Sequence, residues 1–229
     1  MALTLCCILI LLWPNELRAF QGAPHGLRAK DAWLTAGWLS AAAVPRVFDI
    51  NNHPPSCAPC DLQTVPWFDR WAVTQPHDAL STASSGLVFA MAALESLDLV
   101  RGGPEHYGEI AYLSESAGWA LGAGEVLKAI VARKRPVLYT ADATAAAADL
   151  ENQRSWPSDH TAVAAALAAG YLLIPRGQPL PAWRRWAVVA AATSVGVLRV
   201  ASGKHFPSDV AGGAALGVVS AFAVRAIRF

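Results

Sequence analysis

The sequence predicts an all-α protein, a membrane-embedded bundle of five or six helices with its functional site at one end. Hydrophobic residues make up 54% of the 229 residues and charged residues only 15%, against about 25% charged residues in an average soluble domain. The apolar segments, rich in Ala, Leu, Val and Gly, show no sustained alternation of the kind that strands require. Clusters of Pro and Gly separate them, as is typical of loops between helices.

Six apolar segments carry the predicted helices. None of their charge-free runs reaches the roughly 18 residues that make a transmembrane assignment secure. The third segment holds Glu115, Glu125 and Lys128, and charges within a membrane helix usually have a function. A soluble helical bundle is the alternative. The segments are 32–45, 79–94, 109–131, 161–175, 186–198 and 210–224, and small residues in the last of them, such as Gly213 and Gly217, should let helices approach closely.

We predict an N-terminal apolar segment, residues 1–30, followed by one helical domain, residues 31–229. Residues 2–13 are too few to span about 30 Å of hydrocarbon and resemble a signal-peptide core that could be cleaved after Ala19. The basic residues that usually precede such a core are missing, so an uncleaved apolar N-terminus is the alternative. No internal repeat divides the remaining chain.

Charge and cysteine usage exclude two classes of protein. Lys and Arg number 18 against 17 Asp and Glu, so no broad basic surface exists for nucleic acid. Four cysteines are too few for a disulfide scaffold. Cys57 and Cys60 lie in a Pro-rich stretch where a disulfide could persist, and a zinc site that adds His53 and His77 is a second hypothesis. No thioredoxin-like strand and helix surround them, which argues against a redox motif.

Two polar clusters of the C-terminal half predict an anion site. In residues 128–136, Lys128 and Arg135 are seven positions apart, so we expect them two turns apart on one helix face that ends at Pro136. In residues 157–160, Ser158 stands where it would cap the next helix. The N–H groups at such a helix start bind anions.

A third cluster, residues 199–209, adds a candidate nucleophile. His205 and Asp209 are four positions apart at the start of the last helix. An Asp at that spacing can hold one imidazole nitrogen and leave the other free to attack. Taken singly, a capping Ser, a cation at a helix end or a surface His would each be unremarkable, so the argument depends on all three clusters together.

In order and spacing the three clusters resemble the signature of the type 2 phosphatidic acid phosphatase and vanadium haloperoxidase superfamily, in its membrane lipid-phosphate branch. That signature is Lys, six residues, Arg-Pro; then Pro-Ser-Gly-His; then Ser-Arg, five residues, His, three residues, Asp. Asp159 replaces the Gly and Leu198 replaces the Ser, and we expect the Asp159 carboxylate to repel an anion. The matching residues are Lys128, Arg135, Pro136, Pro157, Ser158, His160, Arg199, His205 and Asp209.

The resemblance implies a metal-independent phosphatase without a cofactor, acting on a phosphomonoester or diphosphate, most readily of a membrane lipid such as phosphatidate or a prenyl diphosphate. It implies that His205 attacks phosphorus to form a phosphohistidine while Asp209 orients its ring. His160 then protonates the leaving oxygen and later activates water. The residues implied to bind phosphate are Lys128, Arg135, Ser158, Asp159 and Arg199.

Three alternatives stay open: a soluble exported acid phosphatase released after Ala19, a vanadate-dependent haloperoxidase, and a non-catalytic phospholipid-binding membrane protein. The short chain leaves little room for the extra elements of a haloperoxidase. Retention of both His160 and His205 argues against a non-catalytic protein.

If the helices alternate in direction, the three clusters meet at one end of the bundle. The opposite end then receives Arg176, Arg184, Arg185, Arg225 and Arg228, which favours the cytoplasm. We therefore expect a multi-pass protein of the bacterial inner membrane with its site on the outer face. A periplasmic or secreted protein is the alternative, and the oligomeric state is not predicted.

Overall fold

The computed structural model describes residues 27–51 and 53–229. This part of the chain has six long α-helices, one single-turn α-helix, five short 3-10 helices and no strand, which confirms the all-α prediction for these residues. The predicted signal-like run 2–13 and Ala19 lie outside the described residues. The helices are α1 Ala29–Val47, α2 Asp78–Val100, α3 Tyr107–Val131, α4 Ala143–Ala146, α5 Asp159–Leu173, α6 Ala182–Ala201 and α7 Pro207–Arg228.

The central helix of the bundle is α5. Its sequence is apolar all round, and such a helix is stable only when other elements surround it. It packs against α2, α3, α6 and α7, and 12 of its 15 residues are buried. At 1.5 Å per residue it is about 22 Å long, shorter than the hydrocarbon core of a bilayer. The apolar run that we predicted here is therefore a core helix.

Helix α7 approaches α5 through Gly213 and Gly217. A Cβ atom on Gly217 would collide with the carbonyl oxygen of Ala162, and one on Gly213 with that of Ser158. The predicted role of these small residues in close packing is confirmed. Because Ser158 precedes α5, the two glycines also set the distance between the starts of α5 and α7.

The ends of α3 and α6 and the starts of α2, α5 and α7 lie at the same end of the bundle. The backbone N–H of Ser158 donates to the carbonyl oxygen of Asp209 at 3.0 Å, which joins the starts of α5 and α7. The N–H of His77 donates at 3.0 Å to Ser202, which joins the start of α2 to the end of α6. The three motif clusters therefore meet, as alternating helix directions predict.

Two of the described helices are long and apolar enough to cross a membrane, α2 with 23 residues and α7 with 22. The most apolar stretch of α2 is only 22% buried within the protein, and that of α7 is 39% buried. Two such helices give limited support for membrane association, because the core helix of a soluble protein meets the same criteria. The predicted embedding of the five- or six-helix bundle in a membrane is not confirmed.

Two arginines at the opposite end of the bundle are paired with carboxylates. Arg228 is buried, and its Nη1 donates at 2.8 Å to both Asp31 and Glu115. Arg184 donates to Asp98 at 2.8 Å. Buried and paired arginines add little to an exposed positive surface. The side of the membrane that this end faces stays a prediction.

The long segment between α1 and α2 contains a disulfide between Cys57 and Cys60. Disulfide sulfurs cannot act as thiolate ligands, so the zinc-site hypothesis with His53 and His77 is wrong. The backbone N–H of Cys60 donates to the carbonyl oxygen of Leu138 at 2.8 Å. This contact attaches the segment to the loop that follows α3.

Candidate active site

His205 lies in the short connection between α6 and α7 and is 1% exposed. Its Nδ1 is 2.8 Å from the carbonyl oxygen of Ser155 and 3.6 Å from Oδ2 of Asp209. A carbonyl oxygen only accepts, so we infer that Nδ1 carries the proton and that the lone pair is on Nε2. Burial lowers the pKa of His205 to about 3 although Asp209 opposes this shift. The ring is therefore a neutral potential nucleophile at pH 7.

Asp209 is placed to fix the backbone around His205 more than to hold its ring. Its Oδ2 accepts from the Ser155 hydroxyl at 2.5 Å and from the N–H of Phe206 at 2.8 Å. The carbonyl of Ser155 is closer to Nδ1 than the carboxylate of Asp209 is, and the direct role of Asp209 toward the ring stays a prediction. Asp209 thus acts on His205 indirectly, because it positions Ser155, whose carbonyl oxygen contacts Nδ1 of His205.

A second carboxylate, Asp69, supports this arrangement from the segment between α1 and α2. Arg133 donates through Nη1 to Asp209 and through Nη2 to Asp69, the latter at 2.8 Å. Asp69 also accepts from the N–H and hydroxyl of Ser208, at 3.1 and 2.5 Å. The guanidinium of Arg133 lies 4.4 Å from the ring centroid of Phe206. Asp69 is fully buried, so its charge depends on these donors.

Asp69→Asn is expected to lower kcat by about 10- to 100-fold with KM unchanged, because a loosened Arg133 misplaces Asp209 and hence His205. Steady-state kinetics on a soluble aryl phosphate measures this. Asp61→Asn, in the exposed part of the same segment, is the matched control. A rise in KM, a weaker affinity for inorganic phosphate, or an equal loss in Asp61→Asn would contradict a positioning role.

His160 occupies the first turn of α5, with its Nε2 2.9 Å from the hydroxyl of Ser85 on α2. Burial, and then the positive charges of Arg199, Lys128 and Arg135, lower the pKa of His160 to about 4. The ring is therefore neutral at pH 7. The same electrostatic effects show that three predicted phosphate-binding cations lie near this histidine.

Arg135 and Arg199 have guanidinium groups with unused donors. The Nε atoms of both side chains are buried without a hydrogen-bond partner. Arg199 donates through Nη1 to Ser81 at 2.9 Å and Ser84 at 3.3 Å. Burial, and then the charge of Arg135, lower the pKa of Arg199 to about 10. Two like charges with unpaired donors form a site suited to an anion.

Local geometry corrects two of the sequence predictions. Helix α3 ends at Val131 because Ala132 adopts a left-handed conformation, with φ 48°. Arg135 therefore lies in extended backbone before Pro136, not on the helix face of Lys128. Ser158 stands at the predicted cap position, but its side chain makes no capping hydrogen bond. The N–H groups of the first turn of α5 therefore stay available to an anion.

The Asp159 carboxylate forms an ion pair with Lys128. Lys128 also lies 3.7 Å from Glu125. Gly124 makes room for this arrangement, because a Cβ there would lie 2.6 Å from Oδ1 of Asp159. We expected Asp159 to act by repelling the anion. The structure shows that it pairs with Lys128, one of the residues predicted to bind phosphate.

Asp159→Asn is expected to lower KM at pH 7 by roughly three- to tenfold, because it releases Lys128 for the phosphate. Burial raises the pKa of Asp159 to about 6 against the attraction of Lys128. Below pH 6 the wild-type carboxyl is neutral too, so the advantage of the variant should disappear by pH 5. The measurement is the ratio of the KM of Asp159→Asn to the KM of wild type at each pH. Titration of the substrate affects both values equally and cancels in the ratio.

A constant KM ratio between pH 5 and 7 would show that Asp159 does not control Lys128 through its charge. A higher KM in Asp159→Asn at pH 7 would show that the carboxylate itself assists binding.

Sequence reasoning missed four residues that the structure places around the two histidines, namely Asp69, Arg133, Ser155 and Ser85. Arg133 falls within the first cluster, residues 128–136, but no role was predicted for it. Ser155 is 50 positions from His205 and Ser85 is 75 positions from His160. No spacing in the sequence signals such contacts, because helix packing creates them.

The geometry defines a class of protein: the described residues form an all-helical fold in which two neutral histidines lie beside a cationic site for an anion. The family model of the PAP2 superfamily matches residues 109–229. This match covers more than half of the chain, which therefore belongs to the PAP2 superfamily and confirms the predicted resemblance at that level. Members are phosphatases or phosphoesterases, which supports a general phosphoric ester hydrolase. No curated protein and no solved structure is significantly similar to the chain.

Proposed function

We propose that the protein is a metal-independent phosphatase that hydrolyses a phosphomonoester or diphosphate of a membrane lipid through a phosphohistidine. Phosphatidate and a prenyl diphosphate are the proposed substrate classes. The observation that carries the proposal is the combination of two neutral histidines, the buried His205 and the partly buried His160, with unpartnered guanidinium donors of Arg135 and Arg199. A phosphate group supplies the acceptors that these donors lack.

In the first proposed step, Nε2 of His205 attacks phosphorus and the bond from phosphorus to the leaving oxygen breaks. His160 gives its proton to that oxygen. In the second step His160 takes a proton from water, whose oxygen attacks phosphorus and breaks the phosphorus–nitrogen bond. Inorganic phosphate leaves and His205 is regenerated.

The low pKa of His160, about 4, is compatible with this role once phosphate has bound. After burial, the positive charges of Arg199, Lys128 and Arg135 hold that pKa down. A bound dianion offsets these charges and so raises the pKa toward its ordinary range. The substrate itself would thus bring His160 to a state that can carry the proton.

Exposed apolar surface supports a lipid substrate. Phe89 and Leu94 on α2 are 75% and 67% exposed, on a helix long enough to cross a bilayer. An apolar face of this kind is expected to be covered by lipid or by another protein. A phosphatase held in a bilayer meets a lipid phosphate without extracting the lipid.

We further propose that the site faces the outside of the cell membrane, with the protein anchored by several spans. The disulfide between Cys57 and Cys60 belongs to the same segment as Asp69, at the site end of the bundle. Disulfides persist in oxidising compartments, outside the cytoplasm. This supports an outward-facing site independently of the arginine count.

The test is phosphate release by the detergent-purified chain, in the presence of EDTA, from phosphatidate, a prenyl diphosphate and a soluble aryl phosphate. His205→Ala provides the blank. Release that survives the chelator and is absent from the variant supports the proposed chemistry, and the preferred substrate tests the lipid assignment. A preference for the aryl phosphate would favour a non-specific acid phosphatase, and no release above the blank would overturn the proposal.

A further inference from the structure

The segment between α1 and α2 presents aromatic side chains to the surroundings close to the candidate site. Trp67 is 80% exposed, Phe68 48% and Trp71 71%. The rings of Trp67 and Phe68 contact each other edge to face, with centroids 5.7 Å apart. Aromatic residues clustered on a surface usually mark an interaction site. We call these three residues the aromatic patch.

The aromatic patch is firmly attached to the site. Asp69, within the same stretch, is fully buried and accepts from Arg133 and Ser208. Val65 and Ala72 pack against Phe206, directly before α7. The buried contacts of Val65, Asp69 and Ala72 hold the stretch that carries the aromatic patch. Binding should therefore cost little conformational entropy.

Internal hydrogen bonds also fix the shape of this stretch. Arg70 donates to the carbonyl oxygens of Val65 and Gln63, at 2.8 and 3.1 Å. The guanidinium group of Arg70 therefore binds backbone carbonyls of its own segment. The surface that remains outward is mainly apolar, with indole N–H groups as polar tips, which is the character of side chains that settle at a membrane–water boundary.

The position of the aromatic patch matches that boundary. The segment leads into α2, and its buried residues contact Phe206 before α7. These are the two described helices long enough to cross a bilayer, and both begin at this end. If α2 and α7 span, their first residues lie at one interface, and the aromatic patch lies beside them.

We propose that Trp67, Phe68 and Trp71 form a lipid-docking surface that enters the boundary between headgroups and acyl chains beside the active site. A docked bilayer would bring a lipid phosphate to His205 while its acyl chains stay in the membrane. This inference rests on the proposed function for the lipid nature of the substrate. The docking itself does not depend on the chemistry of hydrolysis.

The first test compares the full-length double variant Trp67→Ala/Trp71→Ala with wild type in detergent–phosphatidate mixed micelles of varied surface fraction. The KM expressed as surface fraction is expected to rise roughly tenfold, because two indole contacts with lipid are lost. Turnover of a soluble aryl phosphate in the same detergent should stay unchanged. An unchanged phosphatidate KM, or equal losses on both substrates, would overturn the proposal.

The matched control is Trp183→Ala/Trp186→Ala. These tryptophans are 67% and 56% exposed, but they lie in the first turns of α6, about 20 Å or more along that helix from Arg199 at 1.5 Å per residue. The control should retain the wild-type KM for phosphatidate. A rise as large as in the first variant would mean that tryptophan loss acts through general anchoring.

A second measurement does not require hydrolysis. The chain in phosphatidylcholine vesicles is titrated with lipids brominated near the headgroup, and tryptophan fluorescence is compared between wild type and Trp67→Ala/Trp71→Ala. Wild type should show an additional quenched component that the variant lacks, even if no phosphatase activity is found. Equal quenching in both would show that the aromatic patch does not contact lipid. If the patch were instead buried between two copies of the chain, light scattering would detect a dimer.

Discussion

Replacing His205 by alanine is expected to lower phosphate release by roughly 10⁴-fold or more, because the variant lacks the nitrogen that forms the covalent bond to phosphorus. The hydrogen bond of Nδ1 with the carbonyl oxygen of Ser155, 2.8 Å away, leaves Nε2 as the unprotonated atom. Burial keeps the ring neutral by lowering its pKa to about 3. Protein incubated with ³²P-labelled substrate and quenched in alkali should carry label in wild type and none in the variant.

His160→Ala separates the two chemical steps. An aryl oxide leaves with little need of a proton, so His205 should still become phosphorylated. Hydrolysis of the phosphohistidine needs a base, and its rate should fall by about 10²- to 10⁴-fold. Stopped-flow measurements should then show a burst of about one aryl alcohol per protein molecule, followed by a slow steady state, with acid-labile phosphate on the protein.

Two results would contradict the roles proposed for His205 and His160. Labelled His205→Ala would place the nucleophile elsewhere. A His160→Ala variant with neither burst nor label, yet with normal affinity for inorganic phosphate, would mean that His160 acts in the first step even with a good leaving group.

The second large effect is expected at Arg199, where alanine should lower kcat/KM for an aryl phosphate by about 10²- to 10³-fold, as for other donors to a developing oxyanion. Its Nε is buried and unpartnered, whereas Nη1 is held by Ser81 and Ser84. The side chain is therefore held in place while its Nε donor remains available to an anion. Arg184→Ala, on the same helix but at its other end, is the matched control and should keep wild-type kinetics.

The thermal stability of Arg199→Ala should not fall with its activity. Without ligand, burial and then the like charge of Arg135 lower the pKa of Arg199, so removing Arg199 should leave the thermal midpoint unchanged or raise it. Inorganic phosphate should raise the midpoint of wild type much more than that of the variant. A lower midpoint with an undiminished response to phosphate would show that Arg199 is structural and does not bind the anion.

The helices and the three motif clusters could be predicted from sequence because both depend on short-range patterns. Apolar runs such as 79–94 and 210–224 fall within α2 and α7, whose polar ends extend the helices to 23 and 22 residues. The prediction was wrong where a helix end depends on one backbone conformation. Ala132 ends α3 in the left-handed region, where Gly is the usual signal, so Arg135 leaves the helix face assigned to it.

The sequence by itself determined the helical class, the family and the residue types of the candidate chemistry. Only the tertiary structure decided which partner each of them has. Asp69 bonds Ser208 across 139 positions, and the carbonyl of Ser155 holds His205 across 50. Helix formation and motif spacing are set by neighbouring residues, whereas a buried hydrogen bond forms only after packing of the bundle has offset the entropy of closing the loop between its partners.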